Sequence, residues 1–178
     1  YEDYIAQARP IDDSLPLLIV LLAVPLCRQF TLIRATGAPL AGALVFGSVV
    51  AMATALIFPT LTGEDGELLA TIAPKSATTA VAIEVAEGLG GVVGLTAAVV
   101  VGTGIFGAVF GPGLLAASRV TDDRAKGFAL GVASHAIGTA RAFQISEKAG
   151  AFASIGMILN GLLTIILAPL AYAAIMVI

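Results

Sequence analysis

The chain has very little charge and few of the residues that soluble proteins use for chemistry. It contains no tryptophan, one cysteine, one histidine and three tyrosines, and 12% of its 178 residues are charged. One cysteine excludes an internal disulfide and any metal site built from several cysteines. We therefore expect no metal ion and no cofactor. No basic stretch interleaved with aromatic residues is present, which argues against a nucleic-acid partner.

Apolar residues and glycine are abundant instead. Hydrophobic residues make up 58% of the chain, and the mean hydropathy of +1.02 lies far above that of soluble proteins. The 20 glycines suit membrane helices, whose small residues let backbones approach closely. The composition predicts an all-α integral membrane protein, a polytopic helix bundle in the lipid bilayer. We expect no enzymatic activity.

The length of each apolar run predicts which segments cross the bilayer, since about 20 residues are needed. Residues 39–58, 92–118 and 149–178 are long enough. The shorter run at 15–26 spans the bilayer only if flanking residues are recruited. The sequence therefore predicts a last transmembrane helix at 149–178 and at least two spans before it.

Charged loops alternate in sign between these spans. Basic loops are predicted at 28–37 and 119–126, and an acidic turn at 60–67. Because lysine and arginine favour cytoplasmic loops, the two basic loops are expected on the inner side, with the acidic turn and residues 1–13 outside.

Two further apolar stretches are interrupted by polar residues. Residues 68–89 contain Pro74 and Lys75, and residues 127–148 contain Ser134 and His135. Non-helical backbone at membrane depth survives only when it is buried in protein or lines a watery cavity. Each stretch is predicted either as a re-entrant hairpin or as a broken helix that crosses fully. Re-entrance is favoured, because it puts both basic loops on the same side of the membrane.

The two interrupted stretches are related by a shift of sixty residues. The shift superposes Thr79 on Thr139 and Lys75 on His135. We predict one membrane domain over 1–178 with repeat halves at about 38–90 and 92–148. Re-entrance would make these halves run in opposite senses, as in many secondary transporters.

Cations inside interrupted membrane segments are candidates for function, because a buried charge is costly without a partner. In one interpretation Lys75 or Arg141 pairs with a nearby glutamate, Glu84, Glu87 or Glu147, and only stabilises a broken helix. In the other, the cations and neighbouring hydroxyls bind an anionic substrate. The predicted substrate-binding residues are Lys75, Ser76, Thr78, Thr79, Ser134, His135, Thr139, Arg141 and Asn160.

Three of these candidates have alternative interpretations. A histidine titrates near neutral pH, so His135 is either a hydrogen-bonded packing residue or a carrier of a transported proton, with Glu84 as a second proton-coupling candidate. Asn160 is most simply an interhelical hydrogen bond. Ser134 with His135 and Glu147 is a weak hydrolase candidate, since no nucleophile-elbow pattern accompanies it.

Several segments closely resemble the LrgB/CidB membrane family. They are PKSATTAVAIEVAEGLGG at 74–91, GAVFGPGLL at 107–115, KGFALGVASHAIGTARA at 126–142 and EKAGAFASIGMILNGLLT at 147–164. SHAIGTAR is the most specific of them, and the similarity covers nearly the whole chain. Family members have further apolar segments before the position of Tyr1, so the resemblance implies an N-terminally truncated domain.

The resemblance implies two kinds of function. Bacterial members are described as holin/antiholin-like and act with a small LrgA/CidA-type partner on murein hydrolase activity and cell lysis. The plastid relative is a glycolate/glycerate translocator, and bacterial members are linked to pyruvate movement. Interrupted, cation-bearing segments suit a carrier better than a hole-forming protein. We therefore expect a small-monocarboxylate transporter of the bacterial inner membrane, with the plastid envelope, a homo-oligomer and lysis regulation as the alternatives left open.

Overall fold

The structure is a computed structural model that describes residues 17, 20, 24, 27, 30–63 and 66–176. Within this part of the chain every regular element is a helix, which confirms the all-α prediction. The apolar run at 15–26 lies mostly outside the described residues. The six helices of the described ranges are α1 Phe30–Thr62, α2 Gly66–Ile72, α3 Thr79–Gly88, α4 Val93–Ala117, α5 Asp123–Ile145 and α6 Glu147–Met176.

Helices α1, α4 and α6 are long and apolar enough to cross a membrane. They contain the predicted spans 39–58, 92–118 and 149–178 to within a few residues. Together with the composition, these helices make the chain a polytopic integral membrane protein.

The predicted basic loop at 28–37 is wrong over its described residues 30–37, which form the first turns of α1. The break that the sequence placed there is a kink at Gly37, with φ 38° and ψ −118°. Glycine adopts positive φ at little cost, and Pro39 suits the first turn of the helix that follows the kink. The chain therefore bends inside a helix here.

The first interrupted stretch is two short helices joined by turns at 73–78. Pro74 lacks a donor for the helical ladder. Successive turn bonds link Lys75 N to Ile72 O at 3.0 Å and Ala77 N to Pro74 O at 2.9 Å. The predicted interruption at Pro74 and Lys75 is confirmed.

The path of α2 is fixed by its contacts with α6. Gly66, where α2 begins, lies against Tyr172. Ser76, just beyond its end, accepts a hydrogen bond at its carbonyl from Asn160 Nδ2 at 2.9 Å. Twelve residues of α6 separate those two contacts, or about 18 Å along the helix axis. Between Gly66 and Ser76 the chain therefore moves from the end of α6 to its middle.

Helix α3 then carries the chain back along α6. Leu89, just after α3, lines a cavity together with Pro169 of α6. Val92, before α4, donates its N–H to Thr71 Oγ1 of α2 at 2.8 Å. The end of the interrupted element is thus tied to its incoming arm, and the element reverses direction at 73–78.

Helix α5 also reverses direction. If it were straight, its 23 residues would separate its ends by about 33 Å. Instead Ser146, directly after α5, donates its hydroxyl to Asp123 Oδ2 at 2.9 Å. The reversal lies at Ser134 and His135, whose dihedrals are non-helical, with φ 40° at His135.

Both arms of α5 pack closely on neighbouring helices because the facing residues are small. A methyl group on Gly127 or Gly131 would overlap the backbone carbonyl of Ala149 or Ala153 in α6. On the other side, Gly104 and Gly107 of α4 face the break of α5. Glycines thereby bring the break against the middle of α4.

Candidate functional site

His135 is fixed at the reversal of α5 by a hydrogen bond to α4. Its Nε2 lies 2.8 Å from the carbonyl oxygen of Val100, and the side chain is buried. A carbonyl oxygen only accepts, so Nε2 must carry the hydrogen. A further proton on this imidazole would therefore have to bind at Nδ1.

The two interruptions meet at Val100. Ala77 of the first interruption and Val81 and Ala82 of α3 form a buried cluster with the Val100 side chain. The carbonyl of the same residue holds His135 from the second interruption. The middle of α4 therefore contacts both.

A cavity of about 590 Å³ lies between α4 and the first arm of α5. Lys75 enters it from the first interruption, Ser134 from the second, and Thr103 from α4. Ala77, two residues after Lys75, packs with Val100. This contact places Lys75 toward the Thr103 end of the cavity.

The polar groups of this cavity have no protein partners within the part of the chain that the structure describes. Among the described residues, no hydrogen bond or ion pair is made by Lys75 Nζ, Thr103 Oγ1 or Ser134 Oγ. Other helix hydroxyls are satisfied locally, as where Thr164 Oγ1 donates to Asn160 O at 2.8 Å. Polar groups at membrane depth usually pair with one another. The cavity therefore presents one ammonium and two hydroxyls to a ligand.

Asn160 connects three parts of the fold. Its Nδ2 donates to Ser76 O at 2.9 Å, and its Oδ1 accepts from Ser48 Oγ of α1 at 2.6 Å. The simple prediction of an interhelical hydrogen bond is confirmed. Asn160 and Ser76 do not line the Lys75 cavity. Asn160 instead holds the turns at 73–78, which form the tip of the first interruption.

The predicted threonines are spread along the two returning arms. Thr79 is the first residue of α3, and Thr78 precedes it without a side-chain capping bond. The buried Thr78 Oγ1 has no hydrogen-bond partner among the described residues. Thr139 Oγ1 donates to the His135 carbonyl at 2.8 Å. None of the three lines the Lys75 cavity.

Arg141 lies away from the break, six residues along the returning arm, or about 9 Å from His135 along the helix axis. Its Nη1 donates to Gln144 Oε1 at 2.7 Å. Within the described ranges, no salt bridge joins Arg141 or Lys75 to a glutamate. The pairing interpretation thus has no support in this part of the chain, and the role of Arg141 in substrate binding stays a prediction.

Glu84, the second proton-coupling candidate, lines a different cavity of about 430 Å³ with Ile165 and Pro169 of α6. Its side chain is exposed. Glu84 and His135 therefore do not share a site, and the proton-coupling role of both stays a prediction.

Sequence reasoning missed Thr103 and the bonds formed by Thr96. Thr96 Oγ1 donates to the Thr71 carbonyl at 3.0 Å and holds the end of α2 against α4. Thr96 and Thr103 are the two hydroxyl residues of the otherwise apolar α4. Because polar residues are rare in membrane spans, these two isolated hydroxyls could have been identified from the sequence as candidate functional residues.

A cluster of charges lies at the N-terminus of α5, on its capping residue and in its first turn. Asp122 caps α5 by accepting from Arg124 N at 2.9 Å, and it pairs with the Arg124 guanidinium at 2.6 Å. The Arg124 guanidinium and N–H lower the pKa of Asp122 to about 2. Hydrogen bonds from Lys126 and Ser146 lower the pKa of Asp123. These groups stabilise the start of α5 and lie outside the cavity.

The fold and cavity define a class, the polytopic helical membrane proteins with two interrupted elements. The LrgB-like family matches residues 1–174 of the chain. The chain belongs to this family, which confirms the resemblance seen in the sequence. No solved structure matches the chain.

Relatives in several bacteria are similar over almost the whole chain. The protein YxaC of Bacillus subtilis is 38% identical over 170 residues, covering 96% of this chain and 74% of the relative. A Haemophilus influenzae protein is 37% identical over 172 residues, covering 97% and 74%. The holin-like protein CidB of Staphylococcus aureus is 36% identical over 174 residues, covering 95% and 74%.

Proposed function

We propose that this protein is a carrier of small monocarboxylates, of the glycolate, glycerate or pyruvate type, and has no enzymatic activity. The observation that carries the proposal is the Lys75 cavity, in which an ammonium and the hydroxyls of Thr103 and Ser134 have no partner among the described residues. A single cation with two hydroxyl donors suits a singly charged carboxylate. Binding such an anion would offset the cost of placing these groups inside a membrane.

The proposal includes re-entrance of both interrupted elements. The Ser146 to Asp123 hydrogen bond joins the two ends of α5. The contacts of Gly66 and Ser76 with α6 give the first element an inward path, and the cavity shared by Leu89 and Pro169 gives it a return path. An element whose ends meet on one side while its tip reaches mid-helix enters and leaves a bilayer at the same face.

The proposal further includes an inverted relation between the two halves. The first interrupted element is tied to the start of α4 through Thr71 and Thr96. The second begins beyond the opposite end of α4, at Asp122. Since α4 is long enough to cross the bilayer, the two elements would open toward opposite faces, as in inverted-repeat transporters.

His135 is the proton-coupling candidate of this carrier. Its Nε2 hydrogen is committed to the Val100 carbonyl, so a transported proton would be carried on Nδ1. The protonated ring would keep its bond to α4. Coupling would then change the charge beside the cavity without releasing the tip of α5.

A second candidate function comes from the name of the CidB relatives, which are holin-like proteins. By that likeness the chain would influence membrane permeability and murein hydrolase activity with a small LrgA/CidA-type partner. The relatives support this function at least as well as transport. Under either function we propose a location in the bacterial inner membrane, because these relatives are bacterial.

Reconstitution into liposomes separates the two functions. A carrier gives saturable uptake of labelled glycolate, glycerate or pyruvate and retains an entrapped neutral dye. A holin-like protein releases the dye without saturation. Dye release with no saturable uptake would reject the carrier proposal.

Substitution of Lys75 tests the site itself. Lys75→Gln should abolish saturable uptake, and Lys75→Arg should retain part of it, since the second variant keeps the charge. Lys126→Gln is the control, because Lys126 is also a lysine with a partly exposed side chain but pairs with Asp123 in the first turn of α5. Equal losses in both glutamine variants would contradict a specific role for Lys75.

A further inference from the structure

The Lys75 cavity is polar at one end only. Lys75, Thr103 and Ser134 supply its polar groups, and they lie toward the middle of α4. The rest is lined by carbon side chains and small residues. These lining residues include Gly102, Phe106, Gly111, Leu114 and Leu130.

This apolar part is long. From Gly107, against which the Ser134 hydroxyl lies, to Leu114, α4 rises about 10 Å. Gly111 presents no side chain to this part of the cavity, and it lies beside Leu130 of α5. The volume of about 590 Å³ lies within the range of pockets that hold whole drug-sized ligands. A two-carbon acid bound at Lys75 would leave most of it unfilled.

From this shape we infer that the cavity prefers monocarboxylates with a short aliphatic tail, such as butyrate, hexanoate and octanoate, over the hydroxylated acids glycolate and glycerate. The carboxylate binds Lys75 and the two hydroxyls, and the tail lies along Phe106 and Leu114. This inference rests on the proposed function and names the substrate class of the same site. Water is a poor occupant of the apolar end, because it finds no polar partners there.

The occupant is a free acid and not a membrane lipid. Thr103 lies 10 residues from the start of α4 and 14 from its end, so the Lys75 end of the cavity is near the middle of the span. A phospholipid head group stays at the interface, about 15 Å away from the centre of the hydrocarbon. A small carboxylate has no such anchor and reaches Lys75.

The affinity series of straight-chain acids tests the inference. Equilibrium binding of labelled acetate, butyrate, hexanoate, octanoate and glycolate is measured on the full chain in nanodiscs, with empty nanodiscs subtracted to remove partition into lipid. We expect affinity to rise about fourfold for each added methylene up to hexanoate, because each methylene that leaves water for an apolar site contributes favourable free energy. Glycolate should bind no more tightly than acetate.

Two pairs of variants locate the tail and the head. Leu114 and Val109 are 62% and 64% exposed on the same helix, but only Leu114 lines the cavity. Leu114→Ala should therefore weaken octanoate several-fold and leave acetate unchanged, whereas Val109→Ala should change neither. Gly102 and Gly113 both have open space beside them, and only Gly102 lines the cavity. Gly102→Leu should weaken every acid, and Gly113→Leu none.

The outcomes distinguish this inference from the proposed function. If glycolate or pyruvate binds and is carried but tail length has no effect, the tail preference is wrong and the carrier remains. If no monocarboxylate binds in the parent protein, both are wrong. If oleate or phosphatidylglycerol displaces the bound acids and the short acids do not displace one another, or if Leu114→Ala and Val109→Ala behave alike, the cavity is not a site for short-chain aliphatic acids.

Discussion

The imidazole of His135 and the carbonyl of Val100 are joined at 2.8 Å across the interface between α5 and α4. The donor is at Nε2, and the backbone of His135 has φ 40°. The bond therefore holds a residue whose backbone conformation is uncommon outside glycine.

Replacing His135 should destabilise the fold according to what the new side chain can donate. His135→Gln keeps an N–H donor of similar reach, and we expect a small effect. His135→Val loses the bond and places a branched residue at positive φ, which together cost roughly 2 to 4 kcal/mol. Unfolding in detergent measures both, with Ala136→Val at the neighbouring exposed position as the control. Equal stability of the glutamine and valine variants would show that the bond contributes nothing.

The Asn160 side chain should contribute more to the free energy of unfolding than the side chain of Ser48, with which it makes only one of its two bonds. Asn160→Leu leaves both the Ser48 hydroxyl and the Ser76 carbonyl without that partner, and the expected loss is roughly 1 to 3 kcal/mol. Ser48→Ala removes one of the two bonds and should cost less. A double-mutant cycle between Asn160→Ala and Ser48→Ala measures their coupling, and a coupling of zero would contradict the bond at 2.6 Å.

Glycines at the α5–α6 interface should not tolerate a methyl group. Gly131→Ala would overlap the Ala153 carbonyl, which is backbone and cannot swing aside, so we expect a loss above about 3 kcal/mol or failure to fold. Gly113→Ala meets nothing within 4 Å and should be neutral or slightly stabilising, since alanine favours helix. Yield of folded, monodisperse protein compares the two. Normal folding of Gly131→Ala would reject the close approach of these helices.

The Asp122 cap gives the protein a predictable response to acid. The folded pKa of about 2 lies below the ordinary value of 3.8, so the carboxylate stabilises the fold fully above pH 3.8 and loses that effect as the pH falls through 2. Asp122→Asn retains a capping oxygen but does not titrate. Thermal midpoints from pH 7 to pH 2 should therefore fall further for the parent than for Asp122→Asn. Parallel curves would rule out this contribution of Asp122.

Re-entrance makes a prediction about membrane sidedness. In a Cys27→Ser background, cysteines placed at positions 122 and 146 should react with an impermeant reagent from the same face, because these residues lie at the two ends of α5. A cysteine at position 63, before α2, should react from the opposite face. Labelling of 122 and 146 from different faces would favour full crossing and reject re-entrance.

Much of the fold could be predicted from the sequence. Pro74 and the polar residues around His135 located both interruptions, because breaking a membrane helix needs residues that stand out against an apolar background. The spans followed from run length alone. The extent of α1 was missed, since basic residues such as Arg34 indicate a loop, whereas the helix continues on both sides of the kink at Gly37.

The site was harder to predict. Lys75 and Ser134 were found by their polarity, but so were Ser76 and Thr139, whose backbone or hydroxyl groups are used inside the protein. Which polar group faces a cavity and which satisfies a backbone carbonyl depends on rotation about the helix axis, and that is set by partners distant in sequence. Thr103 could have been noticed as an isolated hydroxyl in an apolar span, but its position in the cavity depends on the same rotation.

The position of Val100 has a mechanical consequence. One residue on a rigid helix is in contact with both tips, so a turn or slide of α4 that releases one tip must also disturb the other. If a ligand at one tip changes the binding free energy at the other, a ligand at the second tip must change binding at the first by the same free energy. Under the proposed inverted arrangement, motion on the two faces of the membrane would be synchronised at Val100, with no need for a signal through the loops.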